Sequence, residues 1–118
     1  MTTDDNRFFP SGAQRDNDTG KLRMSLVPQE ELNRVMKRFL DGTMKYGENN
    51  WMNGMPLEVY YDCSHRHLAA WWRGEDDEDH AAAAVWNILC AMWTESHLHT
   101  LPNTPVLDNR HKYPVSGP

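Results

Sequence analysis

Residues 58–87 read EVYYDCSHRHLAAWWRGEDDEDHAAAAVWN, with an acidic turn at 74–79 between two segments of helical character. This stretch decides the fold. A helix repeats its faces every three to four residues, so Glu58 and Asp62 share one face of the first segment. A second face is shared by three polar residues, Asp76, His80 and Asn87. We therefore expect polar groups from both helices to converge.

The acidic turn has two interpretations. Carboxylates gathered at the end of two packed helices repel each other unless a cation lies among them, and oxygen ligands suit Mg²⁺ or Mn²⁺. Alternatively, the turn is a solvated loop whose aspartates cap the second helix. The spacing alone leaves both interpretations open.

Length and charge restrict the class of protein. The chain has 118 residues, enough for one domain with a single core. With 12 Lys and Arg against 17 Asp and Glu, the net charge is −5 when His is neutral. A mildly acidic chain is poorly suited to gripping a nucleic-acid backbone, so we expect no stable nucleic-acid binding. A nucleotide ligand would arrive with a metal ion or meet a local cluster of cations.

The sequence has no N-terminal signal segment and no apolar run near the ~20 residues that a membrane span requires. We expect a soluble protein of the cytoplasm that does not bind membranes. Cys63 and Cys90 lie in separate helical segments without the close spacing of a metal pair, so reduced thiols are expected.

Hydrophobic periodicity predicts an all-α fold, a compact helical bundle of three to four main helices. The first helix begins near Pro28 and ends near Gly47, and the second begins at Pro56 and ends at Gly74. The third, about 79–97, is apolar nearly all round, which is typical of a central helix. Asn87 on it should be buried.

The termini differ from the body in composition. Residues 1–19 are polar and predict a flexible or extended N-terminal arm, in which Phe8 and Phe9 anchor to the body or to another subunit. Residues 20–101 form the helical domain, and 102–118 form a Pro-rich C-terminal tail whose segment 107–110 wraps back on the bundle. So short a chain leaves broad Trp and Tyr faces partly covered, so we expect a homodimer or homotetramer.

Several motifs together resemble one family. In chain order they are Gly12-Ala13-Gln14-Arg15-Asp16, Lys21-Leu22-Arg23, Leu26-Val27-Pro28, Lys45-Tyr46-Gly47, Asn50-Trp51, Asp62, Arg66-His67-Leu68, Arg73-Gly74-Glu75-Asp76, His80 and Trp86-Asn87. The set is similar to the phage-associated dATP/dGTP diphosphohydrolases, a branch of the all-α, MazG-like nucleoside triphosphate pyrophosphohydrolases. The resemblance covers roughly residues 12–110.

The resemblance implies metal-dependent hydrolysis of a purine deoxynucleoside triphosphate between the α- and β-phosphates, releasing the monophosphate and pyrophosphate. Similar members occur in phages that replace adenine by 2-aminoadenine, where dGTP is converted to dGMP for modified DNA synthesis. This implies dGTP as the favoured substrate, with GTP or dATP also accepted, in the host cell cytoplasm.

The resemblance and the chemistry of the side chains together give candidate site residues. The predicted catalytic residues are Asp62, His67 and His80. The predicted ligands of Mg²⁺ or Mn²⁺ are Asp62, Glu75, Asp76 and Asp79, with Glu58 in reserve. The predicted nucleotide-binding residues are Lys21, Arg23, Lys45, Asn50, Trp51, Arg66 and Asn87.

Several of these candidate residues also suit ordinary structural roles. Lys21 and Arg23 suit solvated surface as well as phosphate contacts, and Trp51 suits a packing plug as well as a base-stacking platform. The wider family's metal pattern, E-E-x-x-E followed by E-x-x-D, is absent, because Glu30 and Glu31 precede Asn33 and Arg34. A second His that is usual in the third helix is Ala83 in this chain.

Two other functions remain compatible with the sequence. The first is a non-catalytic, oligomeric helical binding protein whose acidic turn is plain surface. The second is a phosphohydrolase that releases the whole triphosphate, which the scattered His and Asp residues would suit.

Overall fold

The computed structural model describes residues 5–102 and 104–111. The helices are α1 Gln29–Tyr46, α2 Leu57–Trp72, α3 His80–Ser96 and a short α4, Thr104–Leu107. Single 3₁₀ turns lie at Met24–Leu26 and Asn50–Asn53. Helix α3 packs on both α1 and α2, whereas α1 and α2 make only marginal contact with each other. The predicted helical bundle with a central third helix is confirmed.

Local sequence sets the bounds of α1. Pro28 precedes its first residue, and two acidic residues, Glu30 and Glu31, lie in the first turn, where they favour the positive end of the helix dipole. Gly47 ends the helix with φ of 92°, a conformation that glycine adopts at little cost, and its N–H donates to the Thr43 carbonyl.

The junction between α2 and α3 closes by backbone hydrogen bonds. Gly74, at φ 76°, donates its N–H to the carbonyl of Trp71, and Glu75 donates to Ala70. This pair of bonds satisfies carbonyls at the end of α2 that would otherwise lack partners. Asp79 then caps α3 by accepting the N–H of Ala82 at 3.2 Å, as the capping interpretation of the acidic turn predicts.

The core lies where α2 crosses α3. Leu57, Tyr60 and Cys90 are buried together, and α1 and the 3₁₀ turn add partly buried aromatic rings, Phe39 and Trp51. Tyr60 Oη and Thr94 Oγ1 are hydrogen-bonded at 2.9 Å, so the most deeply buried polar side chains of this core satisfy each other. Cys63 and Cys90 are free thiols.

The N-terminal segment, predicted as a flexible or extended arm, contains a short hairpin. Strands β1 Arg7–Phe8 and β2 Gln14–Arg15 pair antiparallel, with Arg7 opposite Arg15. Gly12 at φ 90° permits the reversal between them. Phe8 is 72% exposed and is not anchored to the body of this chain. The hairpin was missed because two-residue strands carry too few residues for an alternating pattern.

The C-terminal segment returns to the bundle as predicted. Leu107 is buried, and Asn109 Oδ1 accepts the backbone N–H of Glu58 at 3.1 Å. Arg110 donates to Glu95 on α3 at 2.5 Å. The expected tail beyond residue 111 lies outside the described residues. No described helix is long and apolar enough to cross a bilayer.

Candidate functional site

A cavity of about 740 Å³ lies between α1 and α2. It exists because both helices pack on α3 while scarcely touching each other. Helix α3 contributes Trp86, Asn87 and Cys90 to its lining, and the loop that ends in Met55 closes one side. Its volume is within the roughly 300–1,000 Å³ of small-molecule sites.

The cavity brings together residues that are far apart in the sequence. Five residues from the predicted catalytic and nucleotide-binding sets line it: Lys45, Asn50, Trp51, His67 and Asn87. Asn87 is buried, as predicted, and its Nδ2 donates to the Ala83 carbonyl at 2.9 Å, which also fits its predicted structural role.

Aromatic rings form much of the lining. Trp51 packs edge-to-face on Phe39 and Trp93, with centroid distances of 5.6 and 5.3 Å, so it serves as a packing plug as well as a cavity wall. Trp86 also lines the cavity, and among the described residues its buried Nε1–H has no hydrogen-bond partner. A buried donor without an acceptor costs roughly 1–3 kcal/mol, which a bound acceptor would recover.

Two histidines meet at the edge of the cavity nearest the acidic turn. His67 on α2 and His80, the first residue of α3, approach with Nδ1 atoms 2.9 Å apart. The other ring nitrogen of His80, Nε2, lies 2.7 Å from Asp77 Oδ1. The His80 side chain is only 8% exposed, and the expected convergence of polar groups from both helices is confirmed for this pair.

Glu78 and Arg38 extend this cluster toward α1. Glu78 Oε1 lies 3.7 Å from His67 Nδ1 and 3.2 Å from an Arg38 guanidinium nitrogen. The pKa of His67 is lowered chiefly by burial, and the positive charge of Arg38 adds to this effect while Glu78 opposes it. The pKa of Asp77 is lowered because its carboxylate is hydrogen-bonded to His80.

Asp79 faces a different partner. Its carboxylate accepts two hydrogen bonds from the Arg34 guanidinium, at 2.8 and 2.7 Å. These bonds are the largest cause of the lowering of the Asp79 pKa to about 2. With its oxygens shared between Arg34 and the α3 cap, Asp79 is committed to fixing α1 against α3.

The predicted metal ligands do not assemble in one place. Asp62 is exposed and, with Glu58, lines a second cavity of about 620 Å³ on another side of α2. Glu58 and Asp62 share one face of α2, as predicted. This face points away from His67, because the five residues from Asp62 to His67 turn the side-chain direction through roughly 140° about the helix axis. The convergence expected of Glu58 and Asp62 with the acidic turn is therefore wrong for this chain.

The other predicted residues are exposed. Glu75 pairs with Arg73 at 2.5 Å, Asp76 lies in the turn, and Arg66 donates to Cys63 Sγ at 3.2 Å. Lys21 and Arg23 lie before the 3₁₀ turn and line neither described cavity. Their roles stay predictions.

Within the described part of the chain, two groups have donor atoms close enough to share a cation. The first is His67, Glu78 and His80, and the second is Glu75, Asp77 and His80. Each group combines imidazole nitrogen with carboxylate oxygen, a donor set that fits a divalent metal.

Sequence reasoning missed Arg38, Asp77 and Glu78. The two acids were visible in the acidic turn but were not distinguished from their neighbours. Arg38 lies one helical turn after Arg34, so both side chains can face α3. Only the packing of α1 on α3 shows that Arg34 pairs with Asp79 and that Arg38 pairs with Glu78.

Comparison with known proteins identifies a family for this chain. Residues 11–101 match the sequence model of a family described as dATP/dGTP diphosphohydrolase, N-terminal. No curated protein and no solved structure matches the chain.

Proposed function

Because the chain belongs to the dATP/dGTP diphosphohydrolase family, we propose that it hydrolyses a purine deoxynucleoside triphosphate between the α- and β-phosphates. The products are the nucleoside monophosphate and pyrophosphate. The favoured substrate is dGTP, and GTP or dATP is also accepted. The reaction depends on Mg²⁺ or Mn²⁺.

The cavity between α1 and α2 carries this proposal. Its aromatic lining, including Trp51 and Trp86, suits a purine base, and the unpaired Trp86 N–H suits an acceptor atom on that base. Lys45 supplies a cation for phosphate oxygens. His67 and Glu78 supply the polar edge, so one cavity holds what each part of a nucleotide requires.

The reacting phosphates are assigned to that polar edge. A triphosphate brings about four negative charges, and a divalent ion held at this edge would offset them and supply an activated water for attack on phosphorus. Arg38 holds the Glu78 carboxylate in place, and Lys45 balances charge on the leaving pyrophosphate. The predicted proton-transfer roles of His67 and His80 compete with a ligand role for the same nitrogens.

The biological role that we propose is supply of dGMP for the synthesis of modified phage DNA in the host cytoplasm. Its support is the ordered series of motifs that resembles enzymes of phages with 2-aminoadenine genomes, within the MazG-like branch.

We also propose that the chain acts as a homodimer or homotetramer. Met36, Leu40 and Met44 recur every fourth residue on α1, and all three are exposed. Trp71 and Trp72 are 51% and 81% exposed at the end of α2. Apolar surfaces of this kind are typical of subunit interfaces. Light scattering over a range of concentrations tests this, and a monomer at every concentration would contradict it.

The first experiment is chromatography of the products after incubation with each deoxy- and ribonucleoside triphosphate, with Mg²⁺, with Mn²⁺ and with chelator. We expect metal-dependent conversion of dGTP to dGMP and pyrophosphate. Deoxyguanosine and inorganic triphosphate as the products would identify a triphosphohydrolase instead. No turnover of any triphosphate would identify a non-catalytic binding protein.

Variants locate the site. Lys45→Met should raise KM for dGTP about tenfold or more, since a charge-assisted phosphate contact is lost. Lys37→Met is the matched control, because Lys37 lies on the same helix and does not line the cavity. Asp62→Ala tests the predicted catalytic role of Asp62. Loss of hydrolysis in this variant, with the fold intact, would move the site to the second cavity.

A further inference from the structure

We propose that His67, Glu78 and His80 form a binding site for a divalent first-row transition-metal ion, such as Co²⁺ or Mn²⁺, with Asp77 as the residue that orients His80. This inference deepens the proposed function, because it names the ion and its ligands at the edge of the same cavity. The predicted ligand set of oxygen atoms alone did not include these nitrogens.

The first argument is distance. The Nδ1 atoms of His67 and His80 are 2.9 Å apart. Two imidazole nitrogens that bind one ion at adjacent positions, each with a bond of ~2.1 Å, are about 3.0 Å apart in an octahedral site and about 3.4 Å in a tetrahedral one. The third donor atom, Glu78 Oε1, lies 3.7 Å from His67 Nδ1. All three donors can therefore reach one ion with small adjustments.

The second argument is the orientation of His80. Its Nε2 lies 2.7 Å from the carboxylate of Asp77. When neutral, His80 keeps its proton on this nitrogen, so Nδ1 presents a lone pair toward His67. A carboxylate behind a histidine in this way is typical of metal sites, where it fixes the tautomer and raises ligand basicity. His80 is also almost completely buried, so solvent does not explain the arrangement.

The third argument concerns His67 and Glu78. Without a metal, one Nδ1 of the histidine pair must carry the proton that joins them, and with a metal His67 carries its proton on Nε2 instead. Arg38 takes one lone pair of Glu78 Oε1 at 3.2 Å, and carboxylate oxygens retain further lone pairs for an ion.

The ligand chemistry selects the ion. Two imidazoles and one carboxylate favour first-row transition metals, while Mg²⁺ prefers oxygen ligands and keeps much of its water. The competing group of Glu75, Asp77 and His80 is weaker, because Arg73 binds Glu75 and both acids are exposed. Asp77 is better placed to orient His80 than to bind the ion.

The test is calorimetric titration of the chelator-treated full chain with Mn²⁺, Co²⁺ and Mg²⁺, without nucleotide. We expect one ion per chain, and at least tenfold weaker binding of Mg²⁺. His67→Ala should weaken Mn²⁺ and Co²⁺ binding about 100-fold. His65→Ala, an exposed histidine on the same helix, is the matched control and should bind both ions as the unchanged protein does.

Two conservative variants cover the case in which loss of a histidine unfolds the chain. Glu78→Gln replaces the anionic carboxylate ligand by a weaker, neutral amide at an exposed position. Asp77→Asn should weaken binding about 10–100-fold while leaving the visible absorption bands of bound Co²⁺ in place, because the ligands are retained. If the role of Asp77 were purely structural, the variant would not lose affinity for the ion while keeping the absorption bands of bound Co²⁺.

Equal affinity for Mg²⁺ and Mn²⁺, or unchanged binding in folded His67→Ala and Asp77→Asn, would overturn the inference. Metal binding is measured without substrate, so it fails or succeeds separately from hydrolysis. Metal bound without turnover of any triphosphate would leave this site standing and reject the proposed function.

Discussion

The guanidinium of Arg34 on α1 is joined to the carboxylate of Asp79, at the start of α3, by two hydrogen bonds of 2.8 and 2.7 Å. Asp79 also accepts the N–H of Ala82. One side chain thus caps the central helix and fixes a second helix against it, beside the histidine pair. This explains why an acidic turn that looks like plain surface matters to both fold and site.

Asp79→Ala should lower the free energy of unfolding by about 1–2 kcal/mol, because the α3 cap and the bond to Arg34 are lost together. Urea unfolding followed by circular dichroism measures this. Asp76→Ala is the matched control, since Asp76 is an exposed acid of the same turn, and should change stability by less than about 0.5 kcal/mol. Equal losses in the two variants would contradict the role of Asp79.

The pH dependence of stability should report the same pair. The pKa of Asp79 is lowered to about 2, chiefly by the hydrogen bonds from Arg34. A lowered carboxyl pKa stabilises the fold above the ordinary value of 3.8, and this contribution is lost as the pH falls toward about 2. We expect the unfolding temperature to fall over this window, and to fall less in Arg34→Gln. An identical pH profile in that variant would contradict the assignment.

The buried hydrogen bond between Tyr60 and Thr94 should give a positive coupling energy. Tyr60→Phe leaves the Thr94 hydroxyl buried without its partner, which costs about 1–3 kcal/mol. Thr94→Val conversely leaves the Tyr60 hydroxyl without the Thr94 partner. The double variant should lose less than the sum of the single losses, because neither hydroxyl of the pair is left without the other. Strictly additive losses in denaturant unfolding would show that the bond contributes nothing.

Gly54 and Gly42 should respond oppositely to alanine. At Gly54, φ is 74° and an added Cβ would meet Leu101 Cδ1 at 3.0 Å, so Gly54→Ala should lower the unfolding temperature and disturb the loop beside the cavity. Gly42 is helical with open space around it, so Gly42→Ala should raise stability by up to about 1 kcal/mol. Thermal unfolding of both variants distinguishes the steric clash expected at Gly54 from a general effect of alanine on the unfolding temperature.

Cys90 should resist alkylation in the folded chain. Burial raises the pKa of its thiol to about 11, and only the thiolate reacts. Iodoacetamide at pH 8, followed by mass spectrometry of peptides, should modify the partly exposed Cys63 first and Cys90 only after denaturation. Equal rates at the two cysteines in the native protein would contradict the burial of Cys90.

Part of the candidate site was predictable. Lys45, Asn50 and Trp51 lie at the end of the first helix and in the loop after it, and a motif in one short segment keeps its residues near one another. His67 and His80 flank one turn, so their approach followed from two antiparallel helices. Glu78 and Arg38 come from elements 40 residues apart, and no local pattern connects them.

The sequence by itself determined the three main helices, because Pro28, Gly47, Pro56 and Gly74 act on the backbone locally. The tertiary structure decided which polar side chains meet. The rotation of a helix about its axis depends on what its apolar face packs against, and the burial of Tyr60 against α3 turns His67 toward His80 while Asp62 faces another cavity. The sequence offered both Asp62 and the two histidines as candidate site residues, and the packing of the helices determined that the histidines meet.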